Sequence, residues 1–132
     1  MATRAWSVLL VDDSPVMRRV VRRVLELSEF PCSGVLEAAD GMEALEVLEH
    51  HAVDIMLTDI NMPRLNGEEL LSVVAKDNRF RSVAVVVVST DGTAVRAKRM
   101  LALGARGYVT KPFTPEALAE ELFKTVGAME AA

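Results

Sequence analysis

The sequence predicts an open, doubly wound α/β fold, a parallel sheet with helices on both faces. Short aliphatic runs alternate five times with amphipathic segments, the pattern of repeated strand–helix units joined by right-handed crossovers. The runs themselves are continuous, as in Ala84-Val85-Val86-Val87-Val88, which suits strands covered on both faces and is too short for a buried helix. Between the runs stand the residues that start and stop helices.

Taken in order, Trp6 anchors a first strand over 7–11, which ends at Asp12-Asp13. Ser14-Pro15 then opens a helix over 15–28, with a capping hydroxyl followed by a proline whose missing N–H costs nothing at that position. A second strand over 34–38 precedes a helix over 41–50, in which Ala44, Leu45, Val47 and Leu48 form the apolar stripe. The third strand, 54–58, runs into Asp59, and Asn66-Gly67 starts a helix over 67–76, where Glu68 and Glu69 favour the first turn. The fourth strand covers 83–88 and the helix after it 93–103, closed by Gly104. A fifth strand over 107–109 leads through Thr114-Pro115-Glu116 into a last helix over 115–127, closed by Gly127.

Length and composition bound the function. The 132 residues make one domain, 1–132, with a core over about 7–126. With 15 basic against 19 acidic residues the net charge is −4, and no basic patch suited to nucleic acid stands out. Arg18, Arg19, Arg22 and Arg23 fall at helical spacing and are expected to form a solvated face. Cys32 is the single cysteine, so no internal disulfide can form and a reducing compartment is favoured. No apolar stretch approaches the roughly 18 residues that span a bilayer, and the first residues lack the apolar centre of a signal peptide. A soluble cytoplasmic protein without membrane contact is the expectation. His50-His51 is expected at a solvated helix end, and Met42, Met56, Met62 and Met100 are expected in packing.

The chemistry gathers at strand ends. Asp12, Asp13, Asp59, Ser89 and Lys111 each follow an apolar run, so in a parallel sheet they meet at its carboxyl edge. Two carboxylates about 4 Å apart repel by roughly 4 kcal/mol at an effective dielectric near 20, and a divalent cation reverses that sign. An all-oxygen donor set that leaves room for water suits Mg²⁺. Lys111 brings a point charge and Ser89 a hydroxyl suited to phosphoryl oxygens, and Asp59 is a nucleophile able to form an acyl phosphate.

The segments Val11-Asp12-Asp13-Ser14, Thr58-Asp59-Ile60-Asn61-Met62-Pro63, Val88-Ser89 and Thr110-Lys111-Pro112-Phe113 resemble the four motifs of response-regulator receiver domains. The resemblance covers about 7–126 and is strongest to stand-alone chemotaxis-type (CheY-like) regulators. It implies a flavodoxin-like sheet of five parallel strands in the order 2-1-3-4-5. It also implies that Asp59 accepts phosphate from a histidine kinase or histidine phosphotransfer protein. Asp13, Asp59 and the Asn61 backbone carbonyl would hold Mg²⁺, with Asp12 reaching it through water. Lys111 would bridge the site beside a Lys111-Pro112 bond that is often cis in the family. Ser89 and Tyr108 would act as the switch, remodelling the face built from the fourth helix, fifth strand and fifth helix for a downstream protein target. Asn61, Thr90 and Asp91 would tune the lifetime of the phosphoryl group, and a monomer or weak dimer is expected.

Thr90 departs from the family, which usually carries alanine or glycine there, and its bulk is expected to narrow access to Asp59. A receiver fold acting only as a scaffold, without phosphate, is the alternative this departure keeps open. An aspartyl-phosphate phosphatase of the haloacid dehalogenase type is disfavoured by Asn61, which stands where those enzymes need a second acid. Flavin binding is disfavoured by the acidic first loop. The expected protein is therefore a phosphoacceptor, not an enzyme acting on others.

Overall fold

The computed structural model describes residues 4–131. In chain order the elements are β1 (Trp6–Val11), α1 (Pro15–Leu27), β2 (Cys32–Ala38), α2 (Gly41–His50), β3 (Ile55–Thr58), α3 (Gly67–Lys76), a 3-10 turn at Asn78–Phe80, β4 (Ala84–Ser89), α4 (Ala94–Ala102), β5 (Gly107–Thr110) and α5 (Pro115–Ala131). All strand pairings are parallel, in the order β2-β1-β3-β4-β5.

Side chains alternate across the sheet with the two-residue period of strands. Val8, Leu10, Ile55, Leu57, Val86 and Val88 point to one face, where Val21 and Leu25 of α1 and Leu118 and Leu122 of α5 cover them. Leu9, Val11, Met56, Val85 and Val87 point to the other, under Leu48 of α2, Leu70 and Leu71 of α3 and Met100 of α4. Each such aliphatic side chain, fully buried, contributes about 1.5–3 kcal/mol. Both faces of the central strands are therefore dry, which is why those strands read as unbroken aliphatic runs.

The edges are handled differently. β2 is a half-exposed edge strand whose Glu37 takes ion pairs from Arg18 and Arg22 of α1, both at 2.9 Å. At the opposite edge, the free N–H of Tyr108 donates to the Glu121 carboxylate of α5 at 3.3 Å. Covering exposed strand groups in this way blunts edge-to-edge association.

Several boundaries differ from the sequence reading. β2 begins at Cys32, because its ladder with β1 starts at Trp6 across a local register shift. Ser89 is the last residue of β4, not the first of the loop, since it still pairs with Thr110. Gly104 does end α4, with a left-handed φ of +116°. Gly127 does not end α5, which continues to Ala131. A lone helical glycine costs only about 1 kcal/mol relative to alanine, too little to break a helix whose Leu118, Leu122 and Val126 are buried. The 3-10 turn at Asn78–Phe80 carries no apolar period and is capped by the Asp77 side chain. Among the described residues no helix is long and apolar enough to cross a membrane.

Candidate functional site

β1 lies between β2 and β3, so the chain reverses its direction of winding at the carboxyl end of β1, where open α/β sheets bind ligands. The ladder fixes the neighbours there. Val11 is opposite Thr58, and the N–H of Asp59 donates to the Val11 carbonyl at 3.0 Å. The N–H of Asp12 in turn donates to the Ala38 carbonyl at 3.1 Å. Asp12 and Asp59 are thus delivered to one crevice by adjacent strands. Within the first loop the Asp12 carboxylate accepts the Ser14 N–H at 2.9 Å, and the Ser14 hydroxyl caps α1 by accepting the Met17 N–H.

Carboxylate oxygens of Asp12, Asp13 and Asp59 all lie within 4.8 Å of one another. Asp12 is buried, Asp59 half-buried and Asp13 exposed, so one side of the cluster opens to water. Lys111 enters from the end of β5 and sets its ammonium 3.4 Å from Asp12 and 3.6 Å from Asp59. Its own N–H donates to the Ser89 carbonyl at 2.7 Å, and Lys111-Pro112 is cis, the form the resemblance implied. Burial raises the Asp59 carboxyl above the ordinary carboxylate range, with help from Asp12, while Lys111 and the Ile60 N–H pull it down. One ammonium against three carboxylates leaves a negative surplus. The donor set is all oxygen and partly solvated, which fits a hard divalent cation that keeps some of its water.

Ser89 is buried, and its hydroxyl accepts the Asp91 N–H at 3.1 Å. The Asp91 carbonyl accepts the Tyr108 hydroxyl. Tyr108 is half-buried against the core. The Asp91 carboxylate accepts the Thr93 N–H at 2.9 Å, which lowers its pKa and starts α4. Asn61 is exposed, two residues beyond Asp59. Thr90 is exposed and lines an apolar cavity of about 260 Å³ with Met17, Val20, Lys111 and Phe113, on the α1 side of the site.

Four further residues, not expected at the site from the sequence, shape it. Arg18 does not belong to a solvated face: it is half-buried and donates to both the Asp12 carbonyl and Glu37, tying the acidic loop to β2. Asp40 and Arg64 form an ion pair at 2.7 Å between the start of α2 and the loop after Asp59. Asp40 carried a legible signal as a helix cap ahead of Gly41; Arg18 and Arg64 carried none, because their partners lie 19 and 24 residues away in sequence. Gly67 is also required, since a Cβ there would lie 2.1 Å from the Asp59 carbonyl oxygen.

Comparison with known proteins agrees with this geometry. Residues 8–123 match the family model of the response regulator receiver domain. The chain belongs to the response-regulator receiver family. The chemotaxis protein CheY1 of Helicobacter pylori is 39% identical to it over 121 residues, 91% of this chain and 96% of that protein. A CheY homologue of Campylobacter jejuni is 36% identical over the same length, 92% of its own chain. Among solved structures, the chemotaxis response regulator CheY4 of Vibrio cholerae superposes with a TM-score of 0.80 at 30% identity, covering 92% of this receiver and 99% of that chain. The receiver domain of a Pseudomonas aeruginosa sensor histidine kinase superposes with a TM-score of 0.79 at 25% identity, covering 94% and 99%; it holds magnesium in its active-site cleft. The expected family and strand order are thereby established for this receiver.

Proposed function

We propose that this receiver is a phosphorylation switch in which Asp59 takes a phosphoryl group from a histidine kinase or a histidine phosphotransfer protein. An Asp59 carboxylate oxygen attacks phosphorus, the bond from phosphorus to the donor histidine nitrogen breaks, and that nitrogen keeps the electron pair. The product is an acyl phosphate, which water later hydrolyses to free phosphate. A Mg²⁺ ion held by Asp13, Asp59 and the Asn61 carbonyl, with Asp12 through water, would neutralise charge on the transferred group. Lys111 stands ready to pair with one phosphoryl oxygen and Ser89 to donate to another. The observation that carries this reading is the three-carboxylate cluster bridged by the Lys111 ammonium at the carboxyl edge of the sheet.

The signal then passes through Asp91. When the Ser89 hydroxyl turns toward the phosphoryl group it gives up the Asp91 N–H, and the loop that Tyr108 holds by the Asp91 carbonyl shifts with it. The affected face comprises α4, β5 and α5, where Val95 and Leu101 of α4 are exposed apolar residues. A downstream protein target would bind there. The protein donor would dock against α1, where Val16 and Val20 are exposed beside the cavity that Lys111 and Thr90 line. Asn61, Thr90 and Asp91 would set the phosphoryl lifetime. The setting proposed is a cytoplasmic, one-domain monomer or weak dimer.

The test is intact-mass measurement after incubation with Mg²⁺ and acetyl phosphate or phosphoramidate, beside Asp59→Ala. The expected result is one added phosphoryl group on the parent chain and none on the variant. Equal labelling of both would overturn the assignment of Asp59, and no labelling by either donor would turn the reading to a scaffold.

A further inference from the structure

The loop between Asp59 and α3 carries the Asn61 carbonyl, and its backbone is strained. Arg64 has a φ of +56° and Leu65 a φ of +121°, left-handed conformations that neither side chain favours. Such backbone persists where its surroundings over-determine it. Three contacts with the start of α2 do so. Arg64 donates from Nε and Nη2 to one oxygen of Asp40, Oδ2, at 2.8 and 2.7 Å. The Leu65 carbonyl accepts the Gly41 N–H at 3.1 Å. Gly41 lets that carbonyl approach, since a Cβ there would lie 2.4 Å from the Leu65 oxygen.

Asp40 is buried and its other oxygen is already engaged, accepting the Glu43 N–H at 2.9 Å as the cap of α2. The helix cap therefore orients the carboxylate that receives Arg64. At the far end, the Gly67 N–H donates to the Ile60 carbonyl at 2.8 Å, and Asn66 caps α3 reciprocally with Glu69. Met62 and Leu65 pack their side chains inward. Hydrogen bonds hold Ile60 and Arg64–Gly67, whereas Asn61, Met62 and Pro63 have none among the described residues. The position of the Asn61 carbonyl is inherited from the two ends.

We propose that Asp40 and Arg64 form a clamp that positions the Asn61 carbonyl for the divalent cation, making both of them positioning residues of the phosphorylation site although neither touches metal or phosphate. The proposal rests on the metal reading given above. Its chemistry is that of an outer partner which orients a ligand and whose loss weakens metal binding by about tenfold or more.

The experiment uses the full chain and its Arg64→Ala, Arg64→Lys, Asp40→Asn and Asp40→Asn/Arg64→Ala variants. Mg²⁺ affinity is read by calorimetric titration, and exchange of the Gly41 and Gly67 amides is read in metal-free protein. Asparagine keeps a capping oxygen for α2, so Asp40→Asn separates loss of the cap from loss of the clamp. Arg64→Ala and Asp40→Asn should each weaken Mg²⁺ about tenfold and speed exchange at both amides. The double variant should be no weaker than either single one, and Arg64→Lys should recover part of the affinity. Unchanged Mg²⁺ affinity in folded Arg64→Ala, or additive losses in the double variant, would overturn the clamp. If the parent chain binds no Mg²⁺, the receiver chemistry itself fails; the clamp is then decided by exchange alone, and unaltered exchange in Arg64→Ala refutes it.

Discussion

Ser89 and Tyr108 hold the two ends of one backbone unit. The Ser89 hydroxyl accepts the Asp91 N–H, and the Tyr108 hydroxyl donates to the Asp91 carbonyl. Ser89 is buried beside the acidic crevice, while Tyr108 lies on β5 at the α4–β5–α5 face. A change at one hydroxyl therefore has a covalent path of a single residue to the other.

Tyr108→Phe should loosen the β4–α4 loop without touching the acidic site. Loss of one solvent-accessible hydrogen bond costs about 1 kcal/mol. Amide exchange over residues 90–93 should accelerate while labelling of Asp59 by acetyl phosphate persists. Ser89→Ala should also keep labelling but uncouple the tyrosine. The chain has one tyrosine, so a single fluorotyrosine resonance reads this directly. A full phosphorylation-induced shift of that resonance in Ser89→Ala would remove Ser89 from the switch.

Asp59 and Asp40 should shape the pH dependence of stability with opposite signs. The Asp59 carboxyl is raised by burial, so the folded state holds its proton more tightly than the unfolded one. Its contribution is full below the ordinary carboxylate pKa and is lost as pH rises through the raised value. Asp59→Asn should therefore raise Tm at pH 7 in metal-free buffer and leave it unchanged near pH 3. Asp40 is lowered by the Glu43 N–H and Arg64, so its contribution is present above the ordinary carboxylate range and lost as pH falls. Asp40→Asn should lower Tm at pH 7, with the deficit shrinking in acid. Thermal unfolding across pH checks both signs.

Gly67→Ala should damage fold and site together. The added Cβ would meet the Asp59 carbonyl oxygen at 2.1 Å, and backbone on both sides cannot yield as a flexible side chain would. A destabilisation of roughly 2–3 kcal/mol is expected, with slower labelling of Asp59. Gly127→Ala, in open space on α5, serves as the control and should be neutral or stabilising. Equal stability of the two variants would contradict the close approach.

Val20→Glu should separate protein donors from small ones. Val20 is exposed on α1 and lines the apolar cavity beside Lys111, yet it makes no contact in the acidic cluster. Labelling by acetyl phosphate should be unaffected. Transfer from a phosphorylated histidine protein should slow at least tenfold, the effect of about 1.4 kcal/mol of lost docking energy. Equal slowing with both donors would place the defect in the site and not in docking.

Local sequence marked most of the elements and the candidate site side chains because both are written in neighbouring residues. The unbroken run Val85–Val88 marks a strand dry on both faces, Ser14-Pro15 and Asn66-Gly67 mark helix starts, and Asp12, Asp59, Ser89 and Lys111 declare their chemistry at strand ends. The resemblance to receivers supplied the strand order that spacing alone leaves open. What only the tertiary structure decided involves long-range pairing. Arg18 reaches the Asp12 carbonyl and Glu37, Arg64 reaches Asp40, and Gly67 sits under the Asp59 carbonyl, because crossovers fold separate segments onto one edge. The end of α5 was likewise set by packing: Leu122 and Val126 are buried, and their burial outweighs the modest helix penalty of Gly127. Propensity acts over a few residues, whereas ion pairs and burial act between segments, so the first is legible in a sequence and the second becomes visible once the chain has closed on itself.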